Sequence, residues 1–250
     1  MPEPFGAVLA IDGLLWLFAA AFVAGLVRGF SGVGSGLIYM PVAAQVLPPV
    51  WAVITVTVMD IFGVLPNVPS AFRVADRRDL GRLAAGAVLA LPVGLGVLAV
   101  LEPAVFRTAV SLLALTMLAL LLAGVRYRGT LGPKLTFGAG VFSGFLGGSS
   151  GLPGPPVIML YMASSNSAPV VRASIMAYLF CYDFLLVVVL AIKSALTVVP
   201  VLIGIVMVLP NAVGNMAGAA IFRPSLERVY RTVAYVIIAV SAISALPVWG

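Results

Sequence analysis

From Leu135 to Val171 the chain carries no charged residue, yet it cannot pass through this stretch as one smooth helix. The run is long enough to enter a bilayer. Its middle, Gly140 to Pro156, reads GVFSGFLGGSSGLPGPP. Gly147, Gly148 and Gly151, then Pro153, Pro155 and Pro156, break the backbone ladder. Broken backbone at membrane depth is tolerated only where protein or water satisfies its polar groups. In transporters such breaks mark binding sites.

The pattern occurs once before. Ala24–Gly36 reads AGLVRGFSGVGSG and Ala139–Gly151 reads AGVFSGFLGGSSG, with seven identities in thirteen ungapped positions at an offset of 115. Pro41 recurs as Pro156 at the same offset. Further along, Leu91-Pro92 and Gly96 recur as Leu209-Pro210 and Gly214 (offset 118), and Phe106-Arg107-Thr108 as Tyr230-Arg231-Thr232 (offset 124). Asp60 lines up with Asp183 at 123.

Hydrophobic residues make up 62% of the 250 and charged residues only 9%, against about 25% charged in a soluble domain. The class is therefore a polytopic membrane protein, with no polar stretch long enough for a soluble domain. The net charge of +6 sits in arginine-rich loops rather than in a nucleic-acid groove. Cys181 stands alone, which excludes an intramolecular disulfide and a thiolate cluster; it reads as a small buried apolar residue. Residues 1–12 hold no lysine or arginine. A signal peptide needs a basic start, so the first apolar segment is expected to stay in the mature protein.

The expected fold is all-α, in two repeats, each a glycine-broken segment followed by three transmembrane helices. Repeat one, residues 1–132, holds the broken segment 13–47 and spans 50–72, 83–101 and 105–125. Repeat two, 133–250, holds the broken segment 135–163 and spans 170–192, 196–222 and 226–246. A broken segment that crosses the membrane gives parallel repeats; one that re-enters as a hairpin gives inverted repeats. In both readings the loops 73–82 and 126–134 share a side. Re-entry brings Arg172, Arg223, Arg228 and Arg231 to that side as well, whereas crossing puts them opposite. The positive-inside bias therefore favours re-entrant hairpins and inverted repeats, with both termini outside.

The two glycine-rich motifs, Gly29-Phe30-Ser31-Gly32-Val33-Gly34-Ser35-Gly36 and Gly144-Phe145-Leu146-Gly147-Gly148-Ser149-Ser150-Gly151, each open one half of a polytopic chain. In this the chain resembles the TauE/SafE family of sulfite and organosulfonate exporters over nearly its whole length. The resemblance implies transport of small sulfur-containing anions such as sulfite, sulfoacetate or other sulfonates across the cytoplasmic membrane. It leaves the individual anion, the direction and the coupling ion open.

Physical chemistry points to an anion site independently. A helix beginning at Ser35-Gly36 or Ser150-Gly151 would present free N–H groups and a positive dipole end. Glycines admit an anion close to the backbone and serines add hydroxyl donors. The expected substrate contacts are Gly32, Gly34, Ser35 and Gly36 from the first run and Gly147, Gly148, Ser149, Ser150 and Gly151 from the second, the two ends converging near the midplane. Against this, Gly25-x-x-x-Gly29, Gly140-x-x-x-Gly144 and Gly214-x-x-x-Gly218 are helix-packing patterns. Asn211 and Asn215, one turn apart, are read either as pathway lining or as interhelical hydrogen-bonding groups. Arg28 is read as an anion contact or as a side chain snorkelling to the interface. Asp60 and Asp183 lie inside apolar spans, where a carboxylate costs about 2.5–3.5 kcal/mol. A coupling role for a proton or cation is one reading of them; capping a broken helix or pairing with arginine is the other.

Other classes fit poorly. Gly34-Ser35-Gly36 resembles a serine protease motif, but a serine nucleophile needs a base, and the chain has no histidine. There is no phosphate-binding G-x-x-x-x-G-K-[ST] motif, so the chain is not expected to be an enzyme or to use a metal or cofactor. A passive anion channel stays open as the alternative to a transporter, and so does a homo-oligomer.

Overall fold

The computed structural model describes residues 4–31, 35–123, 131–162, 164 and 166–246. Among them the only regular elements are helices: α1 (Pro4–Leu9), α2 (Leu14–Ser31), α3 (Ser35–Val46), α4 (Pro49–Val64), α5 (Val68–Val74), α6 (Arg77–Val100), α7 (Pro103–Leu122), α8 (Pro133–Ser150), α9 (Gly154–Met162), α10 (Ala168–Ile192), α11 (Val198–Ile221) and α12 (Glu227–Ser244). Among the described residues, five stretches are long and apolar enough to cross a membrane: Pro49–Val74, Arg77–Val100, Pro103–Leu122, Pro169–Ile192 and Val198–Ile221. The outward faces of these helices carry large apolar side chains, Leu89, Val93, Val100, Leu209 and Met216 among them. Such a surface suits lipid, whose chains are as apolar as leucine.

Element ends follow local chemistry. The span expected over 50–72 is interrupted, because Pro66 and Pro69 lack N–H groups; a 3-10 turn at Leu65–Asn67 separates α4 from α5. The span expected from residue 83 starts earlier, at Arg77, because the Asp76 carboxylate accepts the N–H groups of Arg78 (2.8 Å) and Asp79 (3.2 Å). Polar side chains within α4 are satisfied locally. Thr55 and Thr57 donate to carbonyls four residues back, at 2.7 and 2.8 Å. The last expected span, 226–246, is helical as α12, but its first turns hold Glu227, Arg228 and Arg231.

Contacts divide the chain into two units. The first comprises Met1–Gly63, Leu101–Ala119 and Leu196–Gly250; the second comprises Val64–Val100 and Leu120–Ala195. The division cuts across the repeats, since each unit joins the broken segment of one sequence half to a span of the other.

In the first unit α2 and α3 fold back on each other. Gly13, just before α2, faces Val46, the last residue of α3, and a Cβ there would lie 3.0 Å from the valine side chain. α2 also packs along α11, with α12 against α2 and α3. The α2–α11 pair runs parallel and close. Gly25 and Gly29 press on the backbone of Asn211 and Asn215, and Gly214 and Gly218 on that of Phe22 and Leu26. A side chain at any of these glycines would strike main chain, so the packing reading of those motifs is the one the structure carries.

The second unit repeats the arrangement. α8 runs parallel to α6, with Gly140 on Leu83, Gly144 on Ala87, and Gly86 against the carbonyl of Phe137. Placing the two helix pairs in the same register sets Leu83, Gly86 and Ala87 where Asn211, Gly214 and Asn215 stand, an offset of 128. The sequence match at 118 is therefore not the packing register of these spans. Gly96, matched to Gly214 by identity, has no atom within 4 Å of its Cβ position.

Candidate functional site

The first hairpin brings charge into the apolar interior. Arg28 lies in the last turn of α2 and Ser35 is the first residue of α3. Gly32 and Gly34 fall between them, outside the described residues. α4 supplies Asp60, whose Oδ1 accepts from Arg28 Nη1 at 2.8 Å and from Ser35 Oγ at 3.2 Å. Its Oδ2 lies 3.4 Å from the same hydroxyl. The Arg28 and Asp60 side chains are 14% and 20% exposed, so the pair is largely desolvated. The carboxylate thus sits against the N-terminus of α3, where the helix dipole and free N–H groups favour an anion.

Three more groups gather here. Tyr39, one turn beyond Ser35 on the same face of α3, is fully buried. Its hydroxyl has no hydrogen-bond partner among the described residues, and it is within electrostatic reach of Asp60. Gly63, one turn beyond Asp60 on α4, marks a gap: its Cβ position is 3.2 Å from Asn211 Oδ1 and 3.9 Å from Arg28 Nη1. Asn211 is buried and donates through Nδ2 to the Ala21 carbonyl at 3.1 Å. That bond is the interhelical role weighed for it, while its amide oxygen turns toward the Arg28 side. Asn215 is half-buried on the next turn and Gly36 is half-buried as the second residue of α3.

The second glycine run is built differently. α8 extends to Ser150 and Gly151 closes it with φ 70, donating to the Gly147 carbonyl at 2.8 Å. This left-handed closure favours glycine. The helix start expected at Ser150-Gly151 therefore falls at Gly154 instead, behind Pro153 and with Pro155 and Pro156 in its first turn. Ser149 and Ser150 donate to the carbonyls of Phe145 (2.8 Å) and Leu146 (2.6 Å), so their hydroxyls are engaged within α8. Gly147 is filled against by the Tyr182 ring and Pro153, and Gly148 by the backbone of Leu91. Asp183 is buried on α10.

Matched position by position, the first unit has an arginine and two asparagines where the second has a serine and two apolar residues, while Ser35 and Asp60 keep polar counterparts in Ser150 and Asp183. Arg28 corresponds to Ser143, which donates to the Pro153 carbonyl and accepts from Tyr178 at 2.8 Å. Asn211 and Asn215 correspond in packing to Leu83 and Ala87. Of the residues singled out from sequence, Ser35, Asp60 and Asn211 come together with Arg28, whereas the Gly147–Gly151 run belongs to the other unit. Two participants gave less sequence signal: Tyr39 is readable only as the i+4 neighbour of Ser35, and Gly63 matters only through tertiary contacts.

The family model for the sulfite exporter TauE/SafE matches residues 17–245, which include most of the first broken segment, the whole of the second and the five long apolar stretches. No curated protein and no solved structure matches the chain. A helical, multi-pass membrane protein by its apolar spans, the chain belongs to the sulfite exporter TauE/SafE family.

Proposed function

We propose that the chain is a secondary transporter that moves small sulfur-containing anions, sulfite, sulfoacetate or related organosulfonates, outward across the cytoplasmic membrane, coupled to a proton or another cation. The observation that carries this reading is the polarity of the first unit, where Arg28, Ser35, Asp60 and Asn211 meet at the tip of a broken hairpin. A guanidinium fork matches the oxygens of a sulfonate or sulfite group. The N-terminus of α3, with Ser35 and Gly36, adds donors that need no mobile side chain.

Asp60 gives the site a way to release its cargo. An arginine without a counter-charge in an apolar interior would hold an anion too strongly; a neighbouring carboxylate lowers that affinity. Asp60 and Asp183 are the carboxylates proposed for coupling, since each lies within an apolar helix where ionised groups are costly. Gly32 and Gly34 remain proposed contacts of the same hairpin tip, and Asn215 a proposed pathway residue. The run Gly147–Gly151 is proposed to shape the second hairpin, so that its mirror-image role in substrate contact rests on backbone rather than on the serine hydroxyls. Inverted repeats, with both hairpins re-entrant, are the arrangement that the arginine distribution favours.

Purified protein in liposomes, loaded with labelled sulfite, tests the reading. Saturable efflux that runs uphill when a proton or sodium gradient is imposed is expected. Flux that is linear in concentration and only downhill would make the chain a passive channel.

A further inference from the structure

We propose that the Asp60 carboxylate is a tethered occupant of the anion site, holding the Arg28 and Ser35 donors until a three-oxygen anion displaces it and recruits Tyr39 as a third donor. The inference rests on the transport reading and adds to it how the site is closed and what it selects.

The donors and acceptors do not balance at rest. Arg28 Nη1 and Ser35 Oγ both donate to Asp60 Oδ1. The Tyr39 hydroxyl is left over, buried and without a partner among the described residues. A buried polar group left unsatisfied costs free energy, and such a group in a native structure calls for a reason. In a helix, a long side chain leans back toward the N-terminus. Tyr39, four residues beyond Ser35, shares its face of α3. A sulfite or sulfonate group carries three oxygens on one centre, one for each of the three donors.

Displacement follows from the geometry. The two donors cannot serve Asp60 and a substrate oxyanion at once, and two anions at one site repel. Gly63 places no side chain beside Arg28: its Cβ position is 3.9 Å from Nη1 and 3.2 Å from Asn211 Oδ1. The incoming group takes the place that the carboxylate leaves as it withdraws.

Calorimetric titration of the full chain in nanodiscs with sulfite and sulfoacetate tests this. Asp60→Asn removes the competing charge, so sulfite should bind about ten-fold more tightly than to wild type. Tyr39→Phe removes only a hydroxyl that is unpartnered at rest. It should keep wild-type thermal stability and weaken sulfite about five- to ten-fold. Unchanged or weaker sulfite binding in folded Asp60→Asn overturns the proposal. So does sulfite affinity in Tyr39→Phe equal to that of wild type, which decides the matter alone if Asp60→Asn does not fold. Wild-type protein that binds neither sulfite nor sulfoacetate sinks the transport reading and the tethered-occupant proposal together. Wild-type binding with unaltered variants sinks only the tethered occupant.

Discussion

Asp60 shows how one residue can be read correctly and still incompletely. Its position inside an apolar span marks it as costly, and pairing with an arginine or capping a broken helix were both readings open to it. It pairs with Arg28 and accepts from the Ser35 hydroxyl at the start of α3. The arginine was harder to read, because its repeat counterpart is Ser143 and symmetry offers it no support. Arg28→Gln strands a largely desolvated carboxylate and is expected to cost about 1–3 kcal/mol, read as a lower melting temperature in detergent. The double variant Arg28→Gln/Asp60→Asn removes both charges and should recover most of that loss. Gly63 is the quieter test. Alanine there suits a helix better than glycine, yet its methyl enters the gap between Arg28 and Asn211. Gly63→Ala should keep or raise the melting temperature while slowing sulfite flux in liposomes.

At the scale of elements, the glycines separate into those that pack and those that do not. Repetition of the motif at an offset of 115 was visible in the residues, and so was the small-xxx-small pattern. The register in which the spans meet was not, because identity at 118 followed Leu-Pro-x-x-x-Gly while packing at 128 follows which backbone atoms come close. The helix start of the second hairpin was misplaced for a related reason: the αL closure at Gly151 and the proline that follows it outweigh the serines. Two substitutions distinguish the registers. Gly214→Ala drives a Cβ into the Phe22 carbonyl and should markedly lower stability. Gly96→Ala meets open space and should be neutral or stabilising by about 0.5–1 kcal/mol. Equal effects in thermal denaturation would contradict the packing register.

The whole molecule is organised across its two halves rather than within them. α2 needs α11 and α6 needs α8, so neither 1–132 nor 133–250 contains its own partners. Either half expressed alone should be degraded, and the two co-expressed should assemble into a species that co-purifies. The membrane class was legible from composition. For the first segment the contact of Gly13 with Val46 supplies the fold-back directly. What composition could not reveal is that one unit holds Arg28, Asn211 and Asn215 where the other holds Ser143, Leu83 and Ala87. That asymmetry is the basis for placing the anion with Arg28. The most direct test is counterflow exchange of labelled sulfite in liposomes, comparing wild type with Arg28→Gln/Asp60→Asn at matched thermal stability. Saturable exchange in wild type and none in the double variant is expected; exchange at the wild-type rate in the double variant would contradict an anion site at Arg28.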